Sequence, residues 1–231
     1  MGLSGIHHLA LCTNNMKAQI EFFTQAVGMK LVGLIPMHGV EGASHSFLQA
    51  GKDCYLSFVE VEGVQIAPEI GVSHPQDITS SVAGGAMQHV SFNVDTLQDM
   101  LDLRDRLRSH GYAVVGPLDH GLSQSMYLGA PEGILLEFAT GDTSQGLTPA
   151  WMDKSVAEKL GISPEELARY IDPEAYAGSG GAVPQPKGDG MMFPTPIPPP
   201  MFEAVGYMDD AQLRQALNFA PDAHASAEAQ G

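Results

Sequence analysis

The sequence has few cysteines, few basic residues and no long apolar run, and each scarcity narrows what the protein can be. Among 231 residues there are two cysteines, Cys12 and Cys54, both inside apolar runs typical of strands. This pattern favours reduced core thiols, and a reducing compartment, over a disulfide. No stretch is long and apolar enough to span a bilayer, and residues 1–6 lack the features of a signal peptide. The sequence therefore predicts a cytoplasmic protein.

Basic residues are also scarce relative to acidic ones. The chain has 11 Lys and Arg against 27 Asp and Glu, a formal net charge of −16. A surface of that sign repels nucleic-acid phosphates and anionic lipid headgroups. The composition thus argues against nucleic-acid and membrane partners.

The sequence does contain an internal repeat. His8-Leu-Ala-Leu is followed by a helical stretch and Gly28-Met-Lys-Leu-Val-Gly33, and His89-Val-Ser-Phe is followed likewise by Gly111-Tyr-Ala-Val-Val-Gly116. Each copy predicts a strand, a helix and three further strands. Asn14 and Asn15 can cap the first helix, and Asp95 or Thr96 can cap the second. The predicted helices cover 16–27 and the segment ending at 109, and the predicted strands are 6–13, 29–35, 44–50, 54–61, 87–94, 112–116, 123–129 and 133–139.

This pattern predicts an α+β fold of two βαβββ modules, residues 5–62 and 86–140, within one domain spanning 5–140. Residues 141–231 form a Pro- and Gly-rich extension with short helices. In it, Ser163-Pro-Glu-Glu166 is a capping-box start for one helix, and another is expected near 209–217. Residues 178–200 are expected to be irregular and 220–231 disordered.

Alternation along the strands places His8, His89 and Glu137 on faces turned away from the helices. If the two copies close their sheets around one cleft, the three side chains converge there. Such an ionisable cluster is costly inside a protein unless it is paired or metal-bound. Two imidazoles and one carboxylate suit non-haem Fe(II), and also Mn(II), Zn(II) or Ni(II). The alternative interpretation is that each histidine is an ordinary core or surface residue.

Two features of the sequence resemble the vicinal oxygen chelate superfamily over residues 5–140. They are the repeated His strands and the run Asp119-His-Gly-Leu-Ser-Gln-Ser-Met-Tyr127, followed by Pro131-Glu-Gly-x-x-Leu-Glu137-Phe. That group includes glyoxalase I, fosfomycin- and bleomycin-resistance proteins and the type I extradiol dioxygenases. The resemblance implies paired βαβββ modules forming a cupped mixed sheet around a metal held by His8, His89 and Glu137. It also implies a homodimer, and leaves open whether all three ligands belong to one subunit or, with exchanged modules, His8 belongs to one subunit and His89 with Glu137 to the other.

The same resemblance indicates a reaction. His120 and Tyr127 are placed similarly to the substrate-binding His and Tyr of extradiol dioxygenases, where such groups act as hydrogen-bond donors or acid–base catalysts. Ser57 stands where glyoxalase I has a fourth, carboxylate ligand, which counts against glyoxalase chemistry. Ring-cleaving enzymes carry a further catalytic His in the first of the two modules; only His45 lies nearby, and alternation leaves its face undecided.

Three functions follow from these residues. The favoured hypothesis is an Fe(II)-dependent ring-cleaving dioxygenase acting on a catechol- or hydroquinone-like aromatic. The first alternative is a redox-neutral, metal-dependent lyase, epimerase, isomerase or transferase like the glyoxalases. The second alternative is a small-molecule binder without catalysis.

Overall fold

The computed structural model describes residues 2–142, 144, 146–178, 180–186, 193 and 196–217. Residues 2–172 form one compact unit, and the described residues from Pro173 onward form another. The first unit contains both predicted modules and also residues 141–172. The boundary predicted at 140/141 between domain and extension stays a prediction.

Two mixed four-stranded sheets form the framework of the first unit. The strands are β1 (His8–Cys12), β2 (Lys30–Pro36), β3 (Ala43–Gly51), β4 (Cys54–Val61), β5 (Val90–Asn93), β6 (Val115–Asp119), β7 (Gln124–Gly129) and β8 (Leu135–Thr140). Their orders are β1-β4-β3-β2 and β5-β8-β7-β6. The parallel pairs are β1 with β4 and β5 with β8, and all other neighbouring strands are antiparallel. This confirms the predicted α+β fold with two βαβββ units.

One helix connects the first two strands of each module, and local sequence explains where each begins and ends. The helices are α1 (Met16–Glu21), continued by a π-helical turn (Phe22–Val27), and α2 (Leu97–Ser109). The side chain of Asn15 accepts from the Ala18 N–H, and that of Thr96 from the Asp99 N–H. Gly28, at φ 94°, follows the π turn in the left-handed conformation that glycine adopts at lowest cost.

A single apolar core lies between the helices and the inner faces of both sheets. Tyr112 of the second module packs edge-on against Phe22 of the first, with ring centroids 4.9 Å apart. Arg106 of α2 donates to the carbonyls of Gln25 and Ala26 at 2.8 and 3.0 Å, and so binds the end of the first module's helix. The largest fully buried apolar side chains come from both modules: Phe23, Leu48, Leu56, Phe58, Met100, Leu107, Met126 and Leu136.

Two expectations from the sequence are wrong in detail. The sixth strand begins at Val115 rather than at 112, because the residues before it are bound to the end of α2. The Tyr112 N–H donates to the Leu107 carbonyl, and the Arg108 side chain donates to the Val114 carbonyl. Both cysteines are free, as predicted, but they are not core thiols, since Cys12 is exposed and Cys54 is only partly buried. Cys12 lies on the face of β1 turned away from the helices.

Short helices follow the second sheet. The first unit ends with α3 (Lys154–Lys159) and α4 (Pro164–Ile171), and α4 begins with the predicted capping box of Ser163 and Glu166. The second unit contains α5 (Pro199–Val205) and α6 (Asp210–Ala216), the latter close to the predicted 209–217. The segment 220–231, predicted to be disordered, lies outside the described residues. None of the described helices combines the length and apolar character needed to cross a membrane.

Glu132 connects the two modules. It lies in the turn before β8, yet its carboxylate accepts hydrogen bonds from the Thr13 hydroxyl, from Asn14 N–H at 2.7 Å and from Gln19 Nε2 at 2.7 Å, all in the first module. Burial acts to raise the pKa of this carboxyl, but the three donors and the nearby His74 outweigh it and leave the pKa below its usual 4.5. Glu132 also adopts φ 60°, a conformation that costs a non-glycine residue about 1 kcal/mol.

We expect Glu132→Gln to lower the free energy of unfolding at neutral pH by about 2–3 kcal/mol, because the amide would place a donor against donors and remove the charge that strengthens all three bonds. Since the folded pKa is depressed, this stabilisation is complete above the unfolded-state pKa and is lost as the pH falls through the folded pKa. Urea unfolding at pH 7 and in acid measures both effects. The exposed Glu158→Gln is the control; equal stability of Glu132→Gln and the parent at pH 7 would contradict the expectation.

Candidate functional site

The outer face of the second sheet, turned away from the core, carries a connected set of ionisable side chains. His89 immediately precedes β5, Tyr127 lies in β7 and Glu137 in β8. The register places Tyr127 directly opposite Glu137, and Ser91 on its other side. Facing positions on neighbouring strands project to the same face. His120, in the loop between β6 and β7, completes the set.

These side chains form a chain of hydrogen bonds. His89 Nε2 lies 3.0 Å from Glu137 Oε2, and the Tyr127 hydroxyl donates to Glu137 Oε1 at 2.8 Å. His120 Nε2 lies 3.0 Å from the Tyr127 oxygen. Because the single phenolic proton is directed at Glu137, His120 must donate from Nε2 to that oxygen. Both oxygens of the carboxylate are therefore engaged, one by a phenol and one by an imidazole.

The surroundings keep Glu137 ionised and Tyr127 neutral. Burial acts to raise the pKa of Glu137, but hydrogen bonds from Ser125, Tyr127 and Ser91, together with the charge of His89, outweigh it and lower the pKa. Burial, followed by the hydrogen bond to Glu137 and its charge, raises the pKa of Tyr127. At neutral pH the site thus combines a carboxylate acceptor with a phenol that retains its proton.

His89 and Glu137 suit a divalent cation as two of its ligands. The 3.0 Å between Nε2 and Oε2 is also the separation of two ligands at right angles that each lie about 2.1 Å from one ion. Beside them is a cavity of about 400 Å³, whose lining includes Ser91, Asn93 and Leu122. That volume is in the range of small-molecule sites.

His8 lies elsewhere in the chain, on the corresponding outer face of the first sheet. Its ring packs against Phe47 with centroids 5.9 Å apart, and its Nδ1 lies 2.9 Å from that of His7. Among the described residues of one chain, no three His, Cys, Asp or Glu side chains are grouped so that they could hold a metal ion. The structure therefore brings His89 and Glu137 together within a chain and does not bring His8 to them.

The sequence left open on which face of the first sheet His45 lies. In the structure it lies on the outer face, as His8 does. In the register, Ala10 pairs with Ser57 as Ser91 pairs with Glu137, so Ser57 occupies in the first module the position that Glu137 occupies in the second. His45 Nε2 lies 2.6 Å from the buried Ser57 hydroxyl. Burial, and then the charge of His8, lower the pKa of His45, so this imidazole is neutral at neutral pH.

Gln88 is a site residue that the sequence reasoning missed. Its side-chain oxygen lies within hydrogen-bonding distance of His89 Nδ1, the ring nitrogen opposite the one that faces Glu137. The only signal in the sequence was its position next to a candidate ligand. Glutamine is common on protein surfaces, so that signal alone carries little information.

A family model and a distant curated relative both match this chain. The sequence model of one protein family, the Glyoxalase/Bleomycin resistance protein/Dioxygenase superfamily, matches residues 5–138. A biphenyl-2,3-diol 1,2-dioxygenase from Rhodococcus globerulus is 27% identical over 93 residues, a stretch that makes up 40% of this chain and 40% of that enzyme. The chain thus aligns with well under half of that relative.

The solved structures that match this chain are more distant in sequence. A glyoxylase/bleomycin resistance protein/dioxygenase domain from Frankia sp. EAN1pec is 18% identical, with a TM-score of 0.48 over 61% of this chain and 99% of that one. A fosfomycin resistance protein from Listeria monocytogenes, complexed with Mn(II) and sulfate, is 12% identical, with a TM-score of 0.40 over 62% and 96%. Because the family model covers more than half of the sequence, the protein belongs to the glyoxalase/bleomycin resistance protein/dioxygenase superfamily.

Proposed function

We propose that the protein is an Fe(II)-dependent dioxygenase that cleaves a catechol- or hydroquinone-like ring. In this proposal His89 and Glu137 of one copy bind the ion together with His8 of a second copy. The observation that carries it is the pair of donor atoms, His89 Nε2 and Glu137 Oε2, 3.0 Å apart on a polar sheet face. The partial alignment with a biphenyl-diol dioxygenase supports the substrate class.

The sheet edges support a site shared between two copies. β1 and β5 each lie at the edge of their sheet, and His8 and His89 lie at the start of those edges. An edge strand has backbone donors and acceptors available to another chain. In a two-fold dimer, pairing the first sheet of one copy with the second sheet of the other creates two equivalent sites.

The side chains around Glu137 have distinct roles in this proposal. Tyr127 fixes one carboxylate oxygen through its hydroxyl, and the other oxygen, which faces His89 Nε2, would bind the ion. His120 is exposed at the outer end of the same chain of hydrogen bonds, where it can accept the proton of a substrate hydroxyl and return it to the ring-opened product. Bound Fe(II) would supply the activation of dioxygen, both atoms of which enter the product, so that no external reductant is required.

Mixed dimers test the shared site. We expect His8→Ala and Glu137→Ala to be inactive separately, because every site then lacks a ligand. In a dimer with one chain of each kind, one of the two sites regains all three ligands, so doubly tagged mixed dimers should recover about half of the parent activity. The measurement is oxygen uptake on a panel of catechols after anaerobic loading with Fe(II). Mixed dimers as inactive as the separate variants would contradict the proposal.

The same assay distinguishes the other functions. Tight binding of Zn(II) or Ni(II) without oxygen uptake on any substrate of the panel would instead support a redox-neutral enzyme. A parent protein that binds no divalent metal would support a non-catalytic small-molecule binder.

A further inference from the structure

The side-chain amide of Gln88 has a defined orientation. Its Nε2 donates to the backbone carbonyls of Ile78 and Ser80 at 3.3 and 3.2 Å. An amide nitrogen can only donate and an amide oxygen can only accept, so two carbonyl partners identify which end is nitrogen. The oxygen, Oε1, is consequently the atom directed at His89 Nδ1.

This orientation determines the proton position on His89. Because Oε1 of Gln88 accepts only, the hydrogen of this bond must belong to Nδ1 of the imidazole. A neutral imidazole has one N–H, so its lone pair is then on Nε2, the atom 3.0 Å from Glu137 Oε2. Two acceptors at that separation repel each other unless a proton on Nε2 or a metal ion lies between them. Gln88 thus leaves Nε2, rather than Nδ1, as the ring nitrogen that can take up a proton or a metal ion beside Glu137.

We infer that Gln88 is a positioning residue that holds His89 with Nδ1 protonated, so that Nε2, facing Glu137, would be the atom that binds a divalent cation. Through its bonds to Ile78 and Ser80, it also attaches this ligand to the segment that connects the two modules. The inference rests on the metal site of the proposed function. It depends neither on the contribution of His8 nor on the use of dioxygen.

Zn(II) titration of the full-length protein tests this role without any assay of activity. Gln88→Met keeps the length of the side chain but removes the acceptor, and we expect its Kd for Zn(II) to rise about 10- to 100-fold, the effect of losing a residue that orients a ligand histidine. We also expect the Nδ1–H proton of His89, slowly exchanging in ¹⁵N-histidine NMR of the parent, to be lost in the variant. Gln98→Met, on the exposed surface of α2, is the matched control and should change neither quantity.

Gln88→Glu separates positioning from general structural support. It retains an acceptor for Nδ1–H but loses the donors to Ile78 and Ser80, so we expect the Nδ1–H signal to persist and Zn(II) to bind within a few-fold of the parent. Equal weakening by Met and Glu would overturn the inference, as would parent-like behaviour of Gln88→Met. If Glu137→Gln weakens Zn(II) binding while Gln88→Met does not, only the role of Gln88 fails. If the parent binds no Zn(II), the proposed metal site fails as well.

Discussion

Replacing Glu137 with glutamine is expected to reduce both divalent-cation affinity and ring-cleaving activity at least 100-fold. The loss of a residue that only orients a ligand costs about 10- to 100-fold, and Glu137 is in our proposal a ligand itself. The amide of glutamine has nearly the same shape as the carboxylate of glutamate but no charge. Its NH₂ group would face either the Tyr127 hydroxyl or the lone pair on His89 Nε2. Isothermal titration with Zn(II) and oxygen uptake with Fe(II) measure the two losses.

Glu62→Gln is a suitable control, because Glu62 is exposed just beyond the end of β4, the first module's counterpart of β8. We expect it to bind metal and consume oxygen as the parent does. The substitution at Glu137 should leave the fold intact, since it preserves side-chain volume, and circular dichroism verifies this. Cation binding by Glu137→Gln equal to that of the parent would remove the proposed metal site.

Replacing Phe23 with alanine is expected to lower the free energy of unfolding by about 3–5 kcal/mol. The ring is completely buried, packs edge-on against Phe22 with centroids 4.9 Å apart, and contacts the Phe58 ring at 5.5 Å. Truncation removes this apolar contact area and leaves a cavity in the core that both modules share. The free energy of unfolding of a domain is typically only 5–15 kcal/mol, so the expected loss is a large part of the total stability.

Urea unfolding followed by circular dichroism measures this loss. Phe193→Ala is the matched control: Phe193 is 83% exposed, so we expect the same chemical change there to alter the free energy of unfolding by less than about 0.5 kcal/mol. A Phe23→Ala protein within about 1 kcal/mol of the parent would mean that the core collapses around the missing ring.

Local patterns in the sequence were sufficient for the modules and their faces. The repeated His-Leu and His-Val strands and the helix of each module were predicted correctly, and of the candidate caps the structure uses Asn15 and Thr96. Each of these signals depends on residues a few positions apart, within one strand or one helix turn. The same two-residue alternation placed His89 and Glu137 on one face. The sixth strand was misplaced because its predicted start is held by the end of a helix, a contact that alternation does not represent.

Contacts between distant segments were decided by tertiary structure. Glu132 reaches Thr13 and Gln19 across more than a hundred residues, and Gln88 reaches Ile78 and Ser80 through backbone atoms. Backbone carbonyls are the same for every residue type, so no residue pattern could have indicated the partners of Gln88. The face of His45 also became clear only when its strand was paired with the strand of Ser57.

The sequence by its own patterns thus determines two βαβββ units, each with a histidine on the outer face of its first strand, and a carboxylate on the last strand of the second unit. Pairing of β5 with β8 decides that His89 meets Glu137 within a chain, while His8 lies on the other sheet, where β1 pairs with β4. The reason is physical: alternation assigns a side chain to a face of its own sheet, whereas the distance between two sheets depends on everything packed between them.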